Sequence, residues 1–270
     1  MEIVYAQLTQ RAEELLHHLQ DTSSSGTHPP PEGASKCRPS RALVAIAGPP
    51  GSGKSTIADE VARRLNCSGR GCGAAAPIAA VVRMDGYHYS RAELDAFPDA
   101  REAHARRGAA WTFDADAVLA LVRTLHASRT AEGAGAAAAD IDISSTIYVP
   151  TFDHATKDPV PRGAAIPSQA KLVILEGNWL LYDEDPWRQI SALVDESWFV
   201  DVEPRLARER VARRHVQSGI ETNMADALAR TDRNDVPNGE EVRRKLVRPA
   251  VRVWSIDQAS REQMGEQYPQ

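Results

Sequence analysis

Residues 42–55 read Ala42-Leu43-Val44-Ala45-Ile46-Ala47-Gly48-Pro49-Pro50-Gly51-Ser52-Gly53-Lys54-Ser55, an apolar run, a glycine-proline turn, then a lysine and a serine. A short unbroken apolar run closed by glycine and proline is the signature of a strand buried on both faces. From Lys54 to Leu65 the period changes, and Ile57, Val61 and Leu65 recur at helical spacing. The turn between the two segments matches G-x-x-x-x-G-K-[ST] in the strand–loop–helix context that gives this pattern its mechanism. Glycines let consecutive N–H groups curl around an anion with no Cβ in the way. The stretch Gly48, Pro49, Pro50, Gly51, Ser52, Gly53, Lys54, Ser55 and Thr56 is therefore expected to cradle the phosphates of a nucleotide. Lys54 would reach the β- and γ-phosphates, and the Ser55 hydroxyl would ligate Mg²⁺.

Four further apolar runs lie downstream: Ile78–Met84, Lys171–Glu176, Ser197–Val202 and Val251–Ile256. Helical patterns separate them, around 90–106, 114–127, 204–218 and 222–233. Strands alternating with helices imply a parallel sheet covered on both faces, because parallel strands need long crossovers. The expected fold class is α/β, a three-layer P-loop NTPase sandwich with a five-stranded parallel sheet in the order 2-3-1-4-5 and a helical lid. Ahead of the sheet, Val4, Leu8, Ala12, Leu15 and Leu19 mark an amphipathic helix over 1–20, which docks on the domain's own surface more readily than on a partner. Residues 21–40, rich in Ser, Gly and Pro, read as a flexible linker. The domain is expected over 41–260, with its lid at about 204–235 and a tail at 261–270. The stretches 66–77 and 128–142 read as inserted loops, which together with the N-terminal helix leave room for an altered pocket rim or a homodimer contact.

Composition narrows the function class. With 42% hydrophobic and 26% charged residues, and nothing near the apolar run of ~18 residues that spans a bilayer, a soluble protein with no membrane partner is expected. A net charge of −5 gives no global basic field to hold a nucleic acid. The three cysteines, Cys37, Cys67 and Cys72, are too few for a disulfide framework and lack companions for a metal site, so plain thiols in a reducing interior are expected. The N-terminal segment has neither a basic start nor an uninterrupted apolar core, which points to the cytoplasm.

Two carboxylates fall where a parallel sheet binds its ligands, at the C-terminal ends of strands. Asp85, in Arg83-Met84-Asp85-Gly86-Tyr87-His88, ends the second run; a carboxylate there can accept a hydroxyl proton and align an acceptor oxygen with a phosphoryl group. Glu176, in Leu175-Glu176-Gly177-Asn178, ends the third run and can hold Mg²⁺ directly or through water, or serve as base in place of Asp85. Arg205, Arg208, Arg210, Arg213 and Arg214 crowd one helix. Arg210 and Arg214 share a face at i, i+4, where like charges repel unless an anion lies between them. Each feature has a plainer reading, an Asx turn for Asp85, a solvated strand end for Glu176, and a basic face paired with Glu203 and Glu209 for the arginines.

Taken together, AGPPGSGKST, MDGYHY, RRGAAWTFDADA, VPTFDHATKDPVP, ILEGNWLL and RERVARRHVQSG resemble the uridine kinase, phosphoribulokinase and bacterial pantothenate kinase superfamily, over roughly residues 41–257. The likeness is nearest to a branch of poorly assigned bacterial and fungal kinases that includes fructose-transport-associated kinases and a fungal P-loop ATPase. The resemblance implies ATP and Mg²⁺ as cofactors, Asp85 as the catalytic carboxylate, Glu176 near the metal, and Arg210 and Arg214 as lid arginines closing over the phosphates. It also implies that Tyr87, His88, Arg107, Trp111, Phe113, Phe152, Asp153 and His154 belong to blocks lining the acceptor pocket. Asn234 and Asn238, in Asn234-Asp235-Val236-Pro237-Asn238-Gly239, resemble a segment that follows the lid near the adenine, although alone the run is turn chemistry. The chain departs from uridine kinases, whose second-strand motif runs aspartate-serine-phenylalanine-tyrosine where this one has DGYH, and in this respect it leans toward pantothenate kinase. A small-molecule acceptor such as a nucleoside, a sugar or a pantothenate-like compound is expected. An ATPase that drives a protein partner and a non-catalytic nucleotide sensor are the rival readings.

Overall fold

Strand β1 (Ala42–Ala47) is buried along its whole length, and its side chains divide between two cores. Leu43, Ala45 and Ala47 face one apolar cluster with Val173, Leu175 and Phe199, while Ala42, Val44 and Ile46 face another with Leu172, Ile174, Trp198 and Val200. Alternate residues of a strand point to opposite faces, so a strand covered on both sides must be apolar throughout.

The computed structural model of the chain describes residues 1–24, 41–67, 77–129 and 146–256. Strands β1, β2 (Ala79–Arg83), β5 (Leu172–Glu176), β6 (Glu196–Val202) and β7 (Val251–Ser255) form one parallel sheet in the order β2-β5-β1-β6-β7. Numbered along the whole chain this differs from the expected string, because a separate antiparallel hairpin, β3 (Ile147–Asp153) and β4 (Asp158–Ile166), intervenes. Counted over the parallel strands alone the order is 2-3-1-4-5. The hairpin is not among the strands expected from the sequence. Its strands carry Pro150, Pro159, Pro161 and Gly163, residues poor in strand propensity, and only the cross-strand register makes a ladder of them.

Helices α1 (Glu2–Ser24) and α2 (Lys54–Cys67) cover one face of the sheet. Leu8 and Ala12 of α1 are fully buried beside Ile57, Ala58 and Val61 of α2, and Arg11 bonds Glu196 at the start of β6. The N-terminal helix is thus part of the domain's own outer layer. It also runs past residue 20 to Ser24, because a docked helix propagates at the gain of one hydrogen bond per residue. The remainder of the expected linker, most of the insertions at 66–77 and 128–142, and the tail at 261–270 lie outside the described residues.

Helix α5 (Ala115–Ser128) covers the other face with Val118, Leu119, Val122 and Leu125. The helical pattern expected around 90–106 resolves into two short helices, α3 (Arg91–Asp95) and α4 (Ala100–Ala105). Ser90 and Glu93 form a capping box on α3, and Asp99 caps α4. After β6 the chain turns directly into α6 (Pro204–Gln217), then α7 (Met224–Arg233) and α8 (Asp235–Arg244). Glu203 caps α6 and Pro204 occupies its first turn, so this helix starts at the C-terminal edge of the sheet.

Cys67 is disulfide-bonded, which corrects the expectation of plain thiols. The scarcity of metal-ligating companions spoke only against a metal, and a bridge needs a single second cysteine. Cysteine usage therefore no longer argues for a reducing compartment. Among the described residues, no helix is long and apolar enough to cross a membrane.

Candidate active site

Three neighbouring strands, β2, β5 and β1, end together, and that edge carries most of the expected chemistry. Glu176 lies in register with Arg83 on one side and with Ile46 on the other. Asp85 is two residues beyond Arg83, and the P-loop begins two residues beyond Ile46. The register alone therefore brings Asp85, Glu176 and the loop to one mouth.

The loop is held from outside by close approaches. Gly51 has φ of +80°, a conformation that L side chains rarely adopt, and a Cβ there would stand 2.6 Å from the Ala207 carbonyl oxygen of α6. The Ser52 amide donates to the Pro49 carbonyl at 3.1 Å, which tightens the turn. The Ser52 hydroxyl is buried and has no hydrogen-bond partner among the described residues. Lys54, Ser55 and Thr56 begin α2, so the loop runs straight into a helix N-terminus, where backbone N–H groups favour an anion.

Lys54 is buried, and its Nζ lies 3.8 Å from Glu176 Oε1, which also accepts a 3.0 Å hydrogen bond from the Ser55 hydroxyl. Burial is the largest influence on both charges. It pushes the Lys54 ammonium below its ordinary value and the Glu176 carboxyl above its own, against their mutual attraction. The charge of Asp85 is felt at both Lys54 and Glu176. Asp85 sits in a 3-10 turn (Met84–Tyr87), half-buried, and among the described residues its carboxylate makes no hydrogen bond or ion pair. It points neither into an apolar core nor fully into solvent.

The lid arginines divide by function. Arg208 pairs with Asp232 at 2.7 Å and Arg213 with Glu209 at 3.3 Å. Glu203 accepts from the Leu206 amide as the helix cap. Arg210 reaches the loop, donating to the Gly51 carbonyl at 3.3 Å and to the Ser255 hydroxyl at 2.8 Å. Arg214 is exposed and has no carboxylate partner among the described residues, and its charge is felt at Lys54. Of these arginines, Arg208 and Arg213 are paired with carboxylates and Arg210 is bonded to the P-loop. Ser255, at the C-terminal end of β7, was missed in the sequence, although the rule that located Asp85 and Glu176 applies to it equally.

Of the expected acceptor residues, His88 is bonded to Asp85, and Phe113 and Phe152 surround its ring. The His88 ring stacks on Phe113 with centroids 3.9 Å apart and lies 5.0 Å from Phe152. Its Nδ1 donates to the Asp85 carbonyl at 2.8 Å, which leaves Nε2 as an acceptor, and burial lowers its pKa so that the ring is neutral near pH 7. Tyr87 is buried, and burial followed by Asp114 pushes its phenol up to about 12. Arg107 donates to the Tyr89 carbonyl at 2.7 Å and to Asp158 at 3.1 Å, and its guanidinium lies 5.4 Å from the Phe152 ring centroid. Asp153 uses its carboxylate to order the hairpin turn, accepting from the Ala155 amide at 2.8 Å and the Thr156 hydroxyl at 3.0 Å. His154 is exposed in that turn, its ring 5.4 Å from Phe152, and Trp111 is 46% exposed.

Gly86 explains how the hairpin is seated. A Cβ at this position would overlap the carbonyl oxygen of Pro150 in β3. Gly86→Ala is therefore expected to destabilise the protein by about 2 kcal/mol through local overpacking, measured as a shifted midpoint of urea unfolding.

Asn234 and Asn238 lie at the junction of α7 and α8. The segment is not a turn; it opens α8, and both side chains are buried. Asn234 donates to the Arg107 carbonyl at 2.9 Å, and the Asn238 carbonyl oxygen accepts from Arg106 at 3.0 Å. These amides tie the lid to the Arg106–Gly108 loop on the acceptor side. The run contains Pro237 and Gly239, which favour turns in isolation. The proline is tolerated because it falls in the first turn of the helix, and Gly239 because α8 packs against Pro49.

A parallel α/β sandwich with a Lys-Ser phosphate loop at the mouth of its first strand defines a P-loop nucleotide-binding protein. No family model matches the chain. Among curated proteins, it is 36% identical over 247 residues to a Schizosaccharomyces pombe protein named "Putative uridine kinase C227.14", covering 92% of this chain and 88% of that one. Among solved structures, YFH7 of Saccharomyces cerevisiae superposes with a TM-score of 0.74 at 24% identity, covering 92% of this chain and 99% of that one, which shows a shared fold. A fructose transport system kinase, so titled, from Silicibacter sp. TM1040 superposes at 0.64 with 26% identity, covering 88% and 98%. The chain belongs to the uridine kinase-like family of P-loop kinases.

Proposed function

We propose that the chain transfers the terminal phosphoryl group of ATP to a hydroxyl of a small metabolite, with Asp85 as the base. The observation that supports this most is the convergence of Lys54, Ser55, Glu176 and Asp85 at one edge of the sheet, with Arg210 bonded to the same loop and the charge of Arg214, one turn further along α6, felt at Lys54. Four cationic or hydroxyl groups and a glycine-formed cradle suit a triphosphate, while the two carboxylates would repel it unless each had other work.

In this reading the P-loop backbone and Lys54 bind the phosphates, and the arginines stabilise the charge that spreads over the phosphoryl oxygens during transfer. Ser55 and Glu176 would hold Mg²⁺, whose chemistry is to draw charge from the phosphate oxygens. The donor set fits, an oxygen pair already 3.0 Å apart beside a buried ammonium. Asp85 takes the acceptor's proton while the acceptor oxygen forms its bond to phosphorus and the bond to the ADP oxygen breaks. A carboxylate with no partner of its own is suited to that task. Tyr87, His88, Arg107 and Phe113 form the wall against which the acceptor is oriented, a mixture of aromatic surface and a few polar groups appropriate to a small polar metabolite. A protein with a net charge of −5 is a poor partner for nucleic acid, which also favours a small acceptor.

The test is a screen of hydroxyl-bearing metabolites, including nucleosides, sugars and pantothenate-like compounds, for ADP formation. We expect ADP release that depends on one acceptor class and is lost in Asp85→Asn. ADP release at the same rate with every compound and with none would reject acceptor phosphorylation in favour of an ATPase.

A further inference from the structure

His215 and Asp235 form a buried contact that the proposed chemistry does not use. His215 follows Arg214 on α6 and is 6% exposed; its Nε2 lies 3.6 Å from Oδ2 of Asp235, the first residue of α8. That separation is too long for a hydrogen bond. Among the described residues, neither Asp235 Oδ2 nor His215 Nδ1 has a hydrogen-bond partner. Leaving a buried polar atom unsatisfied costs about 1–3 kcal/mol, so a pair left slightly open is poised to shorten.

The surroundings give the shortening a direction. A cavity of about 60 Å³, lined in part by Pro49, Pro50, Val211, Asp235 and Gly239, separates α6 and α8 behind the P-loop. It provides room for α6 to settle. Asp235 itself is anchored, since its neighbour Asn234 is bonded to the Arg107 carbonyl on the acceptor side. The charged groups facing the pair are Arg214 of α6 and Arg230 of α7, and Arg230 is held 3.6 Å from Glu221. Arg214 is the member of this group without a carboxylate partner among the described residues, and its charge reaches His215, Asp235 and Lys54 alike.

We propose that His215 and Asp235 are positioning residues for Arg214, their contact closing to a hydrogen bond as α6 settles over a bound triphosphate and thereby fixing the Arg214 guanidinium on the phosphates. The inference rests on the kinase reading above, in which Arg214 binds phosphate. It assigns the pair no contact with substrate. Burial disfavours charge on both partners, lowering the imidazole and raising the carboxyl.

A double-mutant cycle tests it, with the affinity for ATP in Mg²⁺ measured calorimetrically on the full chain. Arg214→Ala is expected to weaken ATP binding at least tenfold. Asp235→Asn and His215→Gln should each weaken it about tenfold when Arg214 is present and less than twofold in the Arg214→Ala background, because residues that act through one another are not additive. Equal losses in both backgrounds would mean a general structural role and would overturn the inference while leaving the kinase reading intact. No loss when Arg214 is present would overturn it as well. ATP binding by Arg214→Ala at wild-type strength would remove Arg214 from the phosphate site, and with it both this inference and that part of the kinase reading. Thermal unfolding identifies a variant that fails to fold, and His215→Gln completes the cycle if Asp235→Asn does.

Discussion

Lys54→Ala is expected to lower ADP formation by roughly a thousandfold, the loss typical of removing a group that stabilises charge in the transition state. The residue sits at the start of α2, buried, with its ammonium directed to the mouth where β1 and β5 end. Burying a lone ammonium is costly, and among the described residues its one close counter-charge is Glu176, at an ionic distance of 3.8 Å. That is the arrangement of a cation waiting for a stronger anion. The substitution should do little to stability. Glu176 keeps the Ser55 hydrogen bond, and with a carboxyl already raised by burial it can take up a proton when the ammonium is gone. The check is a pair of measurements on the same sample, ADP formation by coupled assay and the unfolding midpoint. A rate within tenfold of wild type would place the lysine away from the phosphates and remove the basis of the kinase reading. A large loss of both rate and stability would instead make Lys54 a structural ion-pair partner.

Asp85→Asn separates binding from chemistry. The change keeps the shape and removes the charge, so it should leave ATP affinity within about threefold of wild type while reducing phosphoryl transfer by roughly 10²- to 10⁴-fold, the range for general base catalysis. The sign of the small affinity effect can be reasoned out. Asp85 repels charge on Glu176, so neutralising it eases the ionised form of Glu176 and should help rather than hinder a divalent cation there. Single-turnover transfer and equilibrium nucleotide binding read the two effects independently. Transfer at the wild-type rate would reject Asp85 as base and leave Glu176 as the carboxylate to test next. Loss of ATP affinity on the scale of Lys54→Ala would make Asp85 a metal or phosphate ligand.

Much of this site was legible along the chain because it depends on local order. A strand, a loop and a helix consecutive in sequence place Gly48 to Thr56 without any distant contact, and the C-terminal ends of parallel strands share an edge by construction. Asp85 and Glu176 could therefore be picked out from the apolar runs that precede them. The i, i+4 spacing of Arg210 and Arg214 is likewise a property of one helix.

Other features were set by partners far away in sequence. Which partner an arginine on α6 meets depended on distant residues, a neutralising carboxylate of Asp232 for Arg208 but only the Ser255 hydroxyl and the Gly51 carbonyl for Arg210, and no spacing rule indicates those pairings. The hairpin β3–β4, with its prolines and glycine, has little strand propensity of its own and is held by its ladder and by the close seat against Gly86. Asn234 and Asn238 read as turn residues because their local preference is for turns, and the loop Arg106–Gly108 drew them into a helix junction.

By itself the sequence determined the sandwich class, the phosphate loop and the two strand-end carboxylates, since each follows from the period of neighbouring residues. Only the tertiary structure decided that Arg210 bonds the loop, where the asparagines are bonded and that His215 meets Asp235. Those outcomes depend on which surfaces pack together, and packing is a relation between segments that no single segment encodes.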